Sequence, residues 1–316
     1  MEFCSPSAII HKRKHCYTKE NLITIINAWN ILKPESKIII KSNENPNSIF
    51  NKLNNNFERY LKEKNTYWAW IDIIKFLAKK GNNNEIIEKM KIIEKEALRP
   101  PQPTEWIKNP VEWLSNFDID KVIKQYERFR SYKYKFLGVH SIDFGIKDSN
   151  NNCLYSNNCH INLKEILKSN KVKYIGFITN LSRHNEPGTH WTSSFFVLDP
   201  SLKSYGGYYY DSTTGNIPKD LMPVFNDIKK QAEDLFNKPF NFSINKNRHQ
   251  KSNTECGVFS IAFQTRWISL LRTDKHNTTF DKIVNFSAYK DDNMKLLRFK
   301  FFRPNIKTLK LLKNYN

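Results

Sequence analysis

Three prolines in four positions divide this chain in two. In the stretch RPPQPTEW, Arg99 to Trp106, the rings of Pro100, Pro101 and Pro103 lock φ and remove backbone donors, so no helix can run through it. Upstream, the periodicity is helical. YTKENLITIINAWNIL offers Thr18 as a cap, followed by apolar Leu22, Ile25, Ile26 and Trp29 at helical spacing. IFNKLNNNFERYLKEK, YWAWIDIIKFLAKKG and NEIIEKMKIIEKEAL follow in the same rhythm, and Gly81 stands where a helix C-cap belongs. Residues 1–108 therefore read as a helical N-terminal domain and 109–316 as a second domain.

Beyond the prolines the texture changes. NFDIDKVIKQYERFR predicts a helix opening the second domain, with Asp118 or Asp120 near its start. VKYIGFITNL and HWTSSFFVLD are short, apolar and β-rich, as central strands are; YGGYYYDS and PFNFSIN predict two more. Between those last two, IPKDLMPVFNDIKKQAEDLF is an amphipathic helix whose regular part follows Pro223. From Gly257, GVFSIAFQTRWISLL is too densely apolar for a surface helix and predicts a buried one. The order of strands and helices implies an α+β fold.

Charge and cysteine content bound the function. Fifty-one Lys and Arg against 31 Asp and Glu give a net charge of +20, which favours polyanions. The lysines are scattered, however, and HKRKH (His11 to His15) is the only dense basic run, so a diffuse solvated surface competes with a nucleic-acid footprint. The five cysteines are odd in number and form no secreted-type framework, and no apolar leader or run of about 20 apolar residues is present. The expectation is an intracellular protein with free thiols and no membrane span. A zinc site from Cys4, His11, His15 and Cys16, or from Cys153 and Cys159-His160, fits no common finger spacing, and no metal is expected.

One thiol stands apart. In RHQKSNTECGVF, Cys256 lies directly before the buried helix, where unpaired N–H groups and the macrodipole favour an anion. Gly257 leaves room beside the sulfur for a substrate backbone. A buried structural cysteine is the competing reading. A thiolate nucleophile needs a histidine to shuttle protons, and His190 is placed for that at the mouth of a central strand. His249 is nearer in sequence but lies in a loop. Asp211, at the end of the following strand, can orient His190, or can simply form a turn. Gln250 and the backbone N–H of Cys256 can donate to an oxyanion.

The ordered set His190-Trp191, Asp211, Gln250 and Cys256-Gly257 resembles the adenain and SUMO-protease superfamily of cysteine proteases. Within it the likeness is to the African swine fever virus-type polyprotein-processing proteases of large DNA viruses. NRHQKSNTECG resembles their cysteine loop and LSNFDIDKVIKQYERF the opening of their core, over roughly residues 112–302. The resemblance implies a permuted papain-like core, a central mixed sheet flanked by helices, with residues 1–108 as a helical extension. It implies a thiol endopeptidase in which Cys256 attacks, His190 moves the proton, Asp211 orients it and Gln250 lines the oxyanion hole. Trp191 then walls a channel admitting glycine, or is a core aromatic. The implied substrates are capsid or core polyprotein precursors, cut after Gly-Gly or Gly-X-Gly during virion maturation in the host cytoplasm and virion. No cofactor is required, although adenain is stimulated by DNA and HKRKH is a candidate contact. Other readings of the same residues are a deconjugating enzyme for SUMO- or ubiquitin-like modifiers, a protein acetyltransferase, and a basic packaging protein with an inactive protease core.

Overall fold

The computed structural model describes residues 2–10, 14–128, 130–156, 158–168 and 171–309. The chain divides into two compact units, with boundaries after Pro110 and before Phe299. In the first, helices Lys19–Leu32, Pro46–Leu61, Trp70–Lys80 and Asn84–Ala97 surround one aromatic core. Thr18 caps the first of these by accepting from the Asn21 N–H, and the Asn21 side chain accepts from the Thr18 N–H in return. Trp70 stacks between Tyr17 and Phe57, with ring centroids 5.6 and 5.3 Å away.

The residues from Phe299 group with this unit, whereas the sequence pattern assigns the whole C-terminal part to the second domain. The reason is Arg303. Its guanidinium is fully buried and donates to Asp72, to Glu94 and to the carbonyls of Trp68 and Arg99. The Arg303 backbone also pairs with Pro100 and Gln102, so the proline-rich stretch finds its hydrogen bonds in the chain's return. No local pattern announces a partner some two hundred residues away.

The second unit is built on a five-stranded sheet in the order β1(Tyr134–Ser141), β2(Tyr174–Asn180), β3(Trp191–Val197), β4(Gly206–Tyr210) and β5(Phe242–Ile244). β1 runs parallel to β2, β5 runs parallel to β4, and the other pairings are antiparallel. β2, β3 and β4 are buried on both faces, which accounts for their nearly continuous apolar sequences. Alternate side chains serve alternate faces. Phe177, Phe196 and Tyr209 meet helix Met222–Phe236 through Phe225. Phe195 stacks on Trp267, and Tyr210 on Phe263, of helix Cys256–Thr273.

The α+β expectation and its mixed sheet therefore hold, with one strand added. β1 is hidden in the sequence because Gly138, at φ +114°, interrupts the strand period where its register against β2 shifts.

Helix Cys256–Thr273 is seated on the sheet by one polar side chain. The Gln264 amide nitrogen lies 2.8 Å from Ser193 Oγ and 2.8 Å from the Ser194 carbonyl, and its Oε1 accepts from the Tyr134 hydroxyl at 2.8 Å. Gly176 makes room for it: a Cβ there would fall 2.3 Å from Gln264 Oε1. Replacing Gln264 by the similarly sized Met should cost about 2–4 kcal/mol, because the Ser194 carbonyl and Tyr134 hydroxyl lose partners away from water. Gly176→Ala should cost about 1–3 kcal/mol through overpacking. Urea unfolding measures both, and a wild-type midpoint for Gln264→Met would contradict this account.

Candidate active site

Antiparallel pairing of β3 with β4 brings the start of β3 and the end of β4 to one edge of the sheet. His190 immediately precedes β3 and Asp211 immediately follows β4. Their side chains meet there, Nε2 of His190 lying 2.8 Å from Oδ1 of Asp211. Helix Cys256–Thr273 begins at the same edge, where Ser260 Oγ donates to the Trp191 carbonyl at 3.2 Å. Cys256, its first residue, is 2% exposed and lies near enough to the His190 ring to raise its pKa. With Nε2 committed to Asp211, Nδ1 is the nitrogen left for the sulfur.

Asp211 is itself held. Its Oδ1 also accepts from the Thr213 N–H and hydroxyl, each at 2.8 Å. Asn245, just past β5, accepts from the Asp211 N–H at 2.9 Å and donates to its carbonyl at 2.7 Å. The next residue, Ser212, carries Gln250. Its hydroxyl donates to Gln250 Oε1 at 2.6 Å, and its carbonyl accepts from the Gln250 N–H at 2.8 Å. One hydrogen of the Gln250 amide goes to the Ser252 carbonyl at 2.7 Å, leaving the second for another acceptor. The structure thus gathers His190, Asp211, Gln250 and Cys256 at one edge of the sheet.

Asn245, Ser212 and Asp291, which holds the N–H groups of Lys251 and Ser252 at 2.9 and 3.0 Å, are not legible in sequence. Neither is Glu255, the N-cap of the cysteine helix. It makes no capping bond and instead pairs with Arg298 at 3.0 Å, with both side chains buried. Only the Asx chemistry of Asn245 carries any signal, and it is indistinguishable from that of an ordinary loop asparagine.

Two sequence expectations need correction. Gly257 does not leave its space for a substrate: a Cβ there would meet Leu114 at 3.2 Å and Trp191 at 3.3 Å, so the gap is filled by packing. Trp191 is 8% exposed and donates its indole N–H to the Leu114 carbonyl at 3.0 Å, which makes it a core aromatic beneath the site. The free-thiol expectation also fails outside the site. Cys4 pairs with Cys16, and Cys153 with Cys159, leaving Cys256 as the free thiol. An odd count argues against a complete framework, yet it is what two disulfides and one nucleophile candidate require.

The pairing also engages the cysteines of both candidate zinc sets. Nitrogen and sulfur atoms of Cys153, Cys159 and His160 lie within 4.8 Å of one another, but the sulfurs are bonded together. Of HKRKH, His11, Lys12 and Arg13 lie outside the described residues, while His15 is buried and stacks on Phe50 at 4.8 Å. His249 is held at Tyr210, whose hydroxyl lies 3.0 Å from its Nδ1, and burial lowers its pKa. No described helix is long and apolar enough to cross a membrane.

Electrostatics favour charge separation along this line. Burial opposes the protonated form of His190, but hydrogen bonds to Asp211 and Cys256, and their negative charges, outweigh it and raise the ring to about 9. Burial likewise opposes the Asp211 carboxylate, and its bonds to His190 and Thr213 reverse that and lower it. A histidine so raised, backed by a carboxylate, is the kind of base that a thiol nucleophile needs.

No family model matches the chain. A protein of Acanthamoeba polyphaga mimivirus named as a thiol protease is 31% identical over 179 residues, which cover 56% of this chain and 52% of the relative. The matched region thus spans about half the length of that relative. A cysteine protease of African swine fever virus is 20% identical over 212 residues, 62% of this chain and 70% of its own. The crystal structure of an African swine fever virus protease matches with a TM-score of 0.60 at 15% identity, covering 96% of each chain. The fold is therefore that of the viral protease, and the likeness to proteases of large DNA viruses read from the sequence holds.

The elevated His190 value has a thermodynamic consequence. Raised from 6.5 to about 9 on folding, it contributes stability that is fully present below pH 6.5 and is lost as pH rises through 9. The melting temperature of the wild type should therefore fall between these pH values, and His190→Gln should flatten that fall. Parallel slopes for the two proteins in thermal melts would show that His190 carries no such linkage.

Proposed function

We propose that the chain is a cysteine endopeptidase of the SUMO-protease and adenain type. The observation that carries this is the continuous line Asp211–His190–Cys256, with Gln250 hung from the residue after Asp211. The sulfur attacks a scissile carbonyl, forming a carbon–sulfur bond. The negative charge moves to the carbonyl oxygen, which the Cys256 N–H and the second amide hydrogen of Gln250 would receive. The uncapped N-terminus of helix Cys256–Thr273 adds its dipole. His190 then gives its proton to the leaving amine as the carbon–nitrogen bond breaks. Water, deprotonated by the same ring, releases the acid and restores the thiol.

For substrate, the proposal is a viral capsid or core polyprotein cut after Gly-Gly or Gly-X-Gly during virion maturation, in the host cytoplasm and the virion. The near-complete burial of Cys256 and Gln250 supports this, because residues without side chains approach a buried thiol most easily. Trp191 and Leu114 pack against Gly257, so the helix start beside Cys256 has no spare room. A SUMO- or ubiquitin-like modifier ending in Gly-Gly would meet the same thiol and is the second reading. No described feature favours the acetyltransferase or packaging readings.

Incubation of the protein with a peptide library containing Gly-Gly-Xaa sites, read by mass spectrometry, should reveal cleavage after the second glycine. Cys256→Ala and His190→Ala should abolish it while leaving the fold intact by circular dichroism. Gln250→Ala should lower kcat about 10- to 1,000-fold, as loss of one oxyanion donor does. Full activity in Cys256→Ala would end this reading.

A further inference from the structure

Directly ahead of Cys256 in the chain lies a carboxylate that the chemistry does not require. Glu255 is fully buried, and a buried carboxylate one residue from the nucleophile has to be neutralised. The structure answers it with Arg298, which is 1% exposed and comes from helix Asp291–Phe301. Arg298 Nε donates to Glu255 Oε2 at 3.0 Å. One terminal nitrogen donates to the Thr254 carbonyl at 3.1 Å and the other to the carbonyl of Glu112. Thr254 Oγ1 donates to the second carboxylate oxygen at 3.1 Å. The planar guanidinium fork is used on every side, which a lysine ammonium could not reproduce.

We propose that Arg298 is a positioning residue for Cys256. It neutralises Glu255 and, by gripping the Thr254 and Glu112 carbonyls, fixes the peptide units that present the thiol and its N–H. The Glu112 contact reaches the segment carrying Leu114, whose side chain packs on Gly257 and whose carbonyl holds Trp191. One side chain thus sets both the charge and the backbone around the nucleophile. The charged groups at this helix start are His190, backed by Asp211, from the β3–β4 edge, Glu255 one residue before Cys256 in the chain, and Arg298 paired with Glu255. Gln250 is neutral, and Leu114 and Trp191 are apolar.

The inference rests on the reading of Cys256 as a nucleophile, but its test needs no substrate. The rate of Cys256 alkylation by iodoacetamide is followed against pH, and the midpoint of its lower limb is compared among variants. Arg298→Gln leaves Glu255 uncompensated, and the limb should rise by about one pH unit. Glu255→Gln leaves the positive charge uncompensated, and the limb should fall. The double variant, with both charges gone, should return to within about 0.3 units of wild type. Limbs that stay at the wild-type position in both single variants overturn the proposal, even if their melting temperatures drop, because that is the signature of a merely structural pair. Should Arg298→Gln not fold, Glu255→Gln alone decides between a lowered and an unmoved limb. Cleavage of a Gly-Gly peptide by the wild type is assayed in parallel. Shifted limbs without cleavage keep this inference and remove the protease reading, whereas cleavage with unmoved limbs does the reverse.

Discussion

Everything at the site depends on where helix Cys256–Thr273 stops sliding. Apolar packing of Phe263 and Trp267 against Tyr210 and Phe195 is strong but tolerant of translation. The Gln264 amide is not. It lies eight residues, or about 12 Å along a helix, beyond Cys256, and is engaged at both its nitrogen and its oxygen by the sheet and by Tyr134. A small shift would strand buried donors and acceptors, so the helix has one favourable depth. That depth puts the sulfur at His190. Gly176 belongs to the same constraint, since any larger residue in β2 would displace the amide.

The buried charges follow a common logic. Glu255 with Arg298, Asp211 with His190, and Asp72 and Glu94 with Arg303 are each met by a hydrogen-bonding partner rather than left to the solvent. In two of these sets an arginine arrives from the last part of the chain and grips backbone carbonyls as well as carboxylates. Such pairs specify which segment returns to which place more than they add net stability. The net charge of +20 plays no part in this arrangement, and lysine–carboxylate pairs such as Lys89 with Glu85 lie exposed.

What the sequence revealed and concealed follows from the range of the interactions. β2 to β4, the amphipathic helix after Pro223 and the buried helix from Cys256 could be read because burial on both faces leaves a local apolar record. His190, Asp211 and Cys256 could be read because each borders one of those elements, and Gln250 through the resemblance carried by its loop. β1 could not, since Gly138 breaks its alternation. Arg298, Arg303 and Asn245 could not, because a single polar residue carries no mark of the distant group it will satisfy. Gly257 misleads for a related reason. A glycine signals that space is needed, but the sequence does not say whether a ligand or a neighbouring Leu114 fills it.

The chain order of the site residues is a consequence of this topology rather than an independent feature. An antiparallel β3–β4 pair places the beginning of one strand beside the end of the next, so His190 must come before Asp211. β5 runs parallel to β4 and ends at the same edge, so the loop leaving it reaches the site with Asn245 first and Gln250 after. The helix that follows must then begin there, with its positive end at the charge-bearing thiol. The sheet edge thus gathers an acid, a base, an amide donor and a thiol in the only order this winding permits. The thiol acyl-transfer chemistry is common to the protease and deconjugating readings. What distinguishes them is the acyl donor that can reach a sulfur as buried as that of Cys256.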